Sequence, residues 1–181
     1  MAQIETLTLR KAMGCFATGV AIVTTRRSEQ HLGVTVNSFS SVSLEPPLIL
    51  FSLVRSANIF ETFHQATNFA VNILSQGQQR LSNMFARPST ADWNEVTFRE
   101  GRNGCALLSD CLVQLECSKV SKLDGGDHVI FLAEVSQVHL HGSGDPLLFY
   151  RGAYGTYARD YWSKVPPPDT SLTDLTVTSW G

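Results

Sequence analysis

Thr35, Asn37, Ser38, Ser40, Ser41 and Ser43 crowd into TVNSFSSVSLEPPLILFS, residues 35–52, ahead of a double proline and a solid apolar run. Hydroxyls and a carboxamide in a segment too irregular to pair its own backbone offer N–H donors and oxygen acceptors side by side. That chemistry suits the polar edge of a planar ring carrying both N–H and carbonyl groups, as a flavin does; the plainer alternative is a solvated turn. A second stretch, LDGGDHVI (123–130), sets Asp127 and His128 immediately after the Gly125–Gly126 turn. A histidine beside an acid at a strand start can donate from either ring nitrogen, toward a nicotinamide or a flavin edge. In a third, PLLFYRGAYGTY (146–157), Arg151 ends a strand, and Tyr150, Tyr154 and Tyr157 are amphipathic platforms among glycines. Composition alone makes this third stretch an ordinary strand end.

Other chemistries find less support. There is no G-x-G-x-x-G after a strand and no G-x-x-x-x-G-K-[ST], so any phosphorylated cofactor must be held without a Rossmann turn or a P-loop. Cys15, Cys105, Cys111 and Cys117 match neither a redox pair nor a zinc knuckle and read as reduced thiols packed as small apolar groups. His139 and His141 share one face of a strand, but with no third ligand evident nearby no metal site is expected. Lys plus Arg number 14 against 16 for Asp plus Glu, and no basic cluster is interleaved with aromatics, which argues against nucleic acid. The N-terminus has no apolar signal core, and the longest solid apolar run, Leu48 to Phe51, is far too short to cross a bilayer. The expectation is a cytoplasmic chain with no membrane partner.

The elements that must position these residues are short and mostly β. Leu9, Ala12, Met13, Phe16 and Ala17 fall at helical spacing, with Thr6 or Thr8 as N-cap, Gly19 as stop and a stripe expected to be core. Strands are predicted at 20–25, 32–37, 47–54, 68–74, 111–123, 128–140 and 147–151. Ser56 is expected to cap a short helix whose Ile59, Phe60 and Phe63 form one apolar face, and residues 76–86 a second that ends before Pro88. Arg87 to Gly104 reads as a long surface excursion, and 111–123 as a half-buried strand with Cys111, Val113, Leu115 and Cys117 on the inner face. About seven strands with three short helices argue for a mainly β chain, a closed or nearly closed antiparallel barrel spanning residues 1–161, followed by a tail over 162–181.

FATGVAIVTT, TVNSFSSVSLEPPLILFS, NFAVNIL, DGGDHVIF and PLLFYRGAY, in that order, resemble the signature of the flavin reductase family, from about residue 9 to 157. Within it the chain looks most similar to the small reductase components of two-component flavin-dependent monooxygenases. It departs where the family usually has a glycine near Ala133, and in Asp92-Trp93-Asn94, where Asp-Lys-Phe is usual. The resemblance implies a Greek-key, FMN-binding split barrel and an NAD(P)H:flavin oxidoreductase that moves hydride from NADH or NADPH to FMN or FAD. It implies a homodimer that supplies reduced flavin to a separate monooxygenase. Thr35, Val36, Asn37 and Ser38, with Ser41, Val42 and Ser43, would line the ring and ribityl chain, and Arg55, Ser56 and Asn58 would meet the phosphate. Phe85 and Arg87 would close over the cofactor. His128, Arg151 and Tyr154 would face the nicotinamide nucleotide, His128 as the catalytic group that orients it or steadies developing charge. Two alternatives stay open: a flavoprotein that retains FMN as electron carrier to a metal complex or other acceptor, and a non-enzymatic flavin or tetrapyrrole binder.

Overall fold

Strand-forming, alternating segments dominate after residue 18, and in the computed structural model, which describes residues 4–141 and 144–157, they build one large antiparallel sheet. The elements run α1 (Thr6–Met13), β1 (Thr18–Gly19), β2 (Ala21–Arg27), β3 (Gln30–Val36), β4 (Ser40–Leu44), β5 (Pro47–Val54), α2 (Phe60–Gln65) and β6 (Asn68–Ile73). There follow α3 (Gln79–Phe85), β7 (Phe98–Glu100), β8 (Ala106–Leu108), β9 (Val113–Gly125), β10 (His128–Leu140), β11 (Leu148–Tyr150) and β12 (Ala153–Gly155). Seven strands pair in the order β3-β2-β6-β9-β10-β5-β4, with β1-β11-β12 and β7-β8 as small accessory sheets.

The sheet curls but does not close, because no ladder joins its edge strands β3 and β4. Ser38, just past β3, spans the gap instead: its Oγ donates to the Ser52 carbonyl at 3.1 Å and accepts the Ser52 N–H at 2.9 Å. That N–H on β5 would otherwise be unpaired, since β4 ends its ladder at Leu50. The result is a split barrel. Its core is aromatic: Phe51 stacks on Phe131 with ring centroids 5.0 Å apart and meets Phe69 edge-on at 5.2 Å, while α2 inserts Phe63, and Ile59, the residue before the helix, packs alongside. A second core beneath α3 gathers Ile22, Leu74, Phe85, Leu108 and Leu147.

Several expectations need correction. The apolar stripe of α1 is not core among the described residues: Met13 is 65% and Phe16 78% exposed, and the backbone hydrogen bond that ties the helix to the rest of the fold lies at its C-terminal end, from Arg151 N–H to the Gly14 carbonyl. Its N-cap is Glu5, whose carboxylate takes the Thr8 hydroxyl, and Gly14 rather than Gly19 ends it. Ser56 does not cap α2, which starts four residues later behind Ile59. The excursion from Arg87 to Gly104 is anchored, with Val96 buried and Trp93 packed edge-on against Phe85 and Phe98. Asp92 steadies it by accepting the Asn94 N–H at 2.9 Å. Strand β9 is buried on both faces over Gln114 to Cys117, so Gln114 and Glu116 lie inside with Leu115 and Cys117.

Glu116 is the costliest of these to bury. Burial alone would raise its carboxyl, but a hydrogen bond from His139 Nε2 (2.9 Å) and the N–H groups of Asn103 (3.0 Å) and Arg102 outweigh it and hold the group below the ordinary carboxylate range. His141 Nε2 pairs likewise with Gln114 Oε1 at 2.9 Å. The two histidines of the H-x-H thus face β9, and among the described residues no group of three or more His, Cys, Asp or Glu is placed to hold a metal. No described helix is long and apolar enough to cross a membrane. The boundary expected at residue 161 and the tail 162–181 lie outside the described residues.

Candidate functional site

Where β3 leaves the sheet, Thr35, Val36 and Asn37 form the shared floor of two adjoining cavities of about 170 and 270 Å³, walled by Ala86 after α3. Together they make a groove with Tyr154 at one end and His128 at the other. Each wall follows from local structure. The hydroxyl of Thr35 donates to the Ser82 carbonyl at 2.7 Å, tying β3 to α3. Ser82 and Ala86, four residues apart, lie on one helical face, and their small side chains leave the space open. The β11–β12 hairpin brings in Tyr154, whose hydroxyl pairs with Ser82 Oγ at 2.8 Å and donates to Asn83 Oδ1 at 3.1 Å.

At the opposite end, His128 opens β10 across from Val54 of β5. Its Nδ1 lies 2.8 Å from Asp127 Oδ1, and that hydrogen bond holds the Asp127 carboxyl below its ordinary range. An ionised carboxylate only accepts, so Nδ1 carries the proton and Nε2 is left as the ring's second polar atom for a ligand.

Asn37 is exposed, and its carboxamide has no hydrogen-bond partner among the described residues. Residues 37–39 lie outside any strand, so the groove offers backbone N–H groups and one planar amide with donor and acceptor together. Apolar Val36 and Ala86 supply flat walls beside them. This donor set fits the mixed N–H and carbonyl edge of an isoalloxazine.

The structure brings Thr35, Val36, Asn37, Ser38, His128 and Tyr154 together and sends other expected residues elsewhere. Ser41, Val42 and Ser43 belong to the edge strand β4, not to a loop, and do not line the groove; Ser43 Oγ instead accepts the Glu45 N–H. Phe85 points into the core, fully buried, with its ring where a Cβ on Gly33 would come within 2.8 Å, so it supports the groove from beneath instead of closing over it. Arg87 follows α3 with an exposed side chain, next to Ala86 and Pro88 of the groove.

Arg55 grips the turn before His128: its Nε donates to the Gly126 carbonyl (3.0 Å), Nη2 sits 3.2 Å from Asp124 Oδ1, and its own N–H reaches the Asp127 carbonyl (2.9 Å). Ser56 and Asn58 flank Ala57, which does line the groove, but lie outside it themselves. Arg151 lies at the hairpin tip with its guanidinium 3.7 Å from Cys15 Sγ, facing α1. Sequence reasoning missed Ser82, Asn83 and Ala86; the small-residue spacing of Ser82 and Ala86 was the available signal.

A split antiparallel sheet carries at its open seam a groove ended by a histidine and a tyrosine, an arrangement with room and donors for a flat polar ring. The chain belongs to the flavin reductase like domain family, which matches residues 13–158. It is 40% identical over 150 residues to the FMN reductase (NADH) SmoA of Agrobacterium fabrum, covering 83% of this chain and 85% of that protein. It is 38% identical to the reductase component of the flavin-dependent trigonelline monooxygenase of Acinetobacter baylyi, over 83% of this chain but only 49% of that longer protein. The NADH:FAD oxidoreductase SgcE6 of Streptomyces globisporus, solved with NAD and FAD fragments, superposes with a TM-score of 0.82 at 33% identity, over 88% of this chain and 99% of that one.

Proposed function

We infer that this chain is an NADH-dependent flavin reductase, with the groove between Tyr154 and His128 as its reaction site. The observation that carries this reading is the pairing of an unengaged Asn37 carboxamide with a histidine whose Nδ1 is already committed. A flavin held there would supply the hydride acceptor for a reduced nicotinamide. The protein supplies position. Asn37 and the backbone of 37–39 hold the ring edge, Val36 and Ala86 exclude water from its face, and His128 Nε2 orients the incoming carboxamide. Hydride transfer needs no proton abstraction, so His128 serves as an orienting contact and not as an obligatory base.

Asn37 and Ala86 of the groove are exposed to solvent, which supports release of the reduced product to a separate monooxygenase, as in the systems to which the similar reductase components belong. FMN is the first acceptor to test, FAD the second, with NADPH as the alternative donor. The exposed stripe of α1 supports a homodimer, and the four unbridged cysteines support a cytoplasmic setting. Mixing the chain with NADH and free FMN should bleach the nicotinamide absorbance; no oxidation with any flavin would leave only a binder. Flavin that survives dialysis and never exchanges would favour instead an electron carrier that retains its cofactor.

A further inference from the structure

A cavity of about 460 Å³, larger than either part of the groove, lies between the C-terminal turn of α1 and the tip of the β11–β12 hairpin. Arg10, Lys11 and Arg151 line it with Leu7, Gly14, Cys15 and Gly152, and among the described residues no carboxylate does. None of the three cations is ion-paired among the described residues. The two elements are fixed to each other: the Arg151 N–H donates to the Gly14 carbonyl at 2.9 Å, and the Arg151 guanidinium approaches Cys15 Sγ while lying over the Tyr150 ring. At Gly152, held at a φ of +82°, an added Cβ would meet no described atom within 4 Å, so no described residue fills the space over the hairpin tip.

Arg151 and Gly152 form the turn of the hairpin that also delivers Tyr154 to the groove. A ligand that occupies the groove and extends along the hairpin would therefore arrive at these cations. We propose that this cavity binds the adenosine diphosphate moiety of a dinucleotide whose reactive end occupies the groove, so that its source as NADH or FAD rests on the flavin reductase reading. Two guanidinium groups and an ammonium more than offset the two negative charges of a dinucleotide's diphosphate, and guanidinium forks suit its paired oxygens. The volume is that of a small-molecule site and well beyond one phosphate, and Leu7 with the aliphatic stems of Arg10 and Lys11 offers a surface for an adenine.

Cys15 is a built-in reporter, because it is exposed at this cavity while the other three thiols are buried and pushed up to about 12. N-ethylmaleimide should label Cys15, and ADP should slow that labelling about fivefold or more, with adenosine ineffective. In the Arg10→Ala/Lys11→Ala variant, which alters only exposed side chains, the protection should vanish. Steady-state kinetics then separates the sources. With FMN as acceptor, an about tenfold rise in the variant's KM for NADH but not for reduced nicotinamide mononucleotide assigns the donor. With the mononucleotide as donor, a similar rise for FAD but not FMN assigns the acceptor. No protection by ADP, equal protection in the variant, or unchanged KM values in both arms overturns the proposal. If no donor is oxidised yet ADP protection is present and lost in the variant, the reductase reading fails and the cavity assignment stands.

Discussion

Strand β10 carries a histidine–carboxylate pair toward each end, and the two are nearly identical in distance and opposite in solvation. His128 Nδ1 and Asp127 Oδ1 are 2.8 Å apart with the Asp127 side chain 85% exposed, whereas His139 Nε2 and Glu116 Oε1 are 2.9 Å apart with the Glu116 side chain 1% exposed. Water screens the first pair and leaves its outer nitrogen available to a ligand, so it contributes little to folding. The second has replaced water around a buried carboxylate, together with the N–H groups of Asn103 and Arg102, and pins the turn after β7 onto β9. The separation of two atoms does not tell a pair open to a ligand from one that serves the fold; solvation separates the two.

The comparison can be broken most directly at the buried pair. His139→Ala should cost on the order of 3 kcal/mol in denaturant unfolding, since it leaves a buried carboxylate short of its side-chain partner. The KM for NADH should not move; a shift there would mean that the two ends of β10 are coupled. Glu116 also sets an acid limit. Its carboxyl is held below the ordinary 4.5, so its stabilisation is complete above that pH and is lost as the pH falls through the lowered folded value. Glu116→Gln should flatten the acid limb of an unfolding-against-pH curve; an unchanged limb would place the acid sensitivity elsewhere.

At the exposed end the signs reverse. His128→Ala should lower kcat/KM for NADH about tenfold while leaving stability within about 0.5 kcal/mol and flavin affinity within about twofold. Unchanged kcat and KM would remove His128 from the reaction site. Asp127→Asn should have the smallest effect, an about threefold loss in kcat/KM with no measurable loss of stability, because it only loosens the tautomer and orientation of the ring. A larger loss than that of His128→Ala would show that Asp127 itself meets the ligand.

Much of the scaffold was legible along the chain. PLILFSLV and HVIFLAEVSQVHL are strands over the stretches read from their apolar patterns, and the GG turn between Asp124 and Asp127 joins β9 to β10 as its glycines required. Asn37, Ser38 and His128, which the structure brings to one groove, were singled out because irregular polar segments and turn-adjacent histidines stand out locally. Arg55 was not readable in the same way: a guanidinium after a strand suits a phosphate as well as it suits a carboxylate, and only the fold brings Asp124 and Gly126, more than 60 positions away, to its side.

Sequence by itself determined the longer strands, the turn between β9 and β10 and the order of the motifs, because these depend on alternation and turn chemistry within a few residues. Tertiary structure alone decided that Phe85 faces inward against Gly33, that Ser41 to Ser43 pair as an edge strand, and that His139 meets Glu116 while His128 meets water. Those outcomes depend on register across the sheet. A shift of one residue sends a side chain to the opposite face, and no local pattern records which partner strand lies beside it.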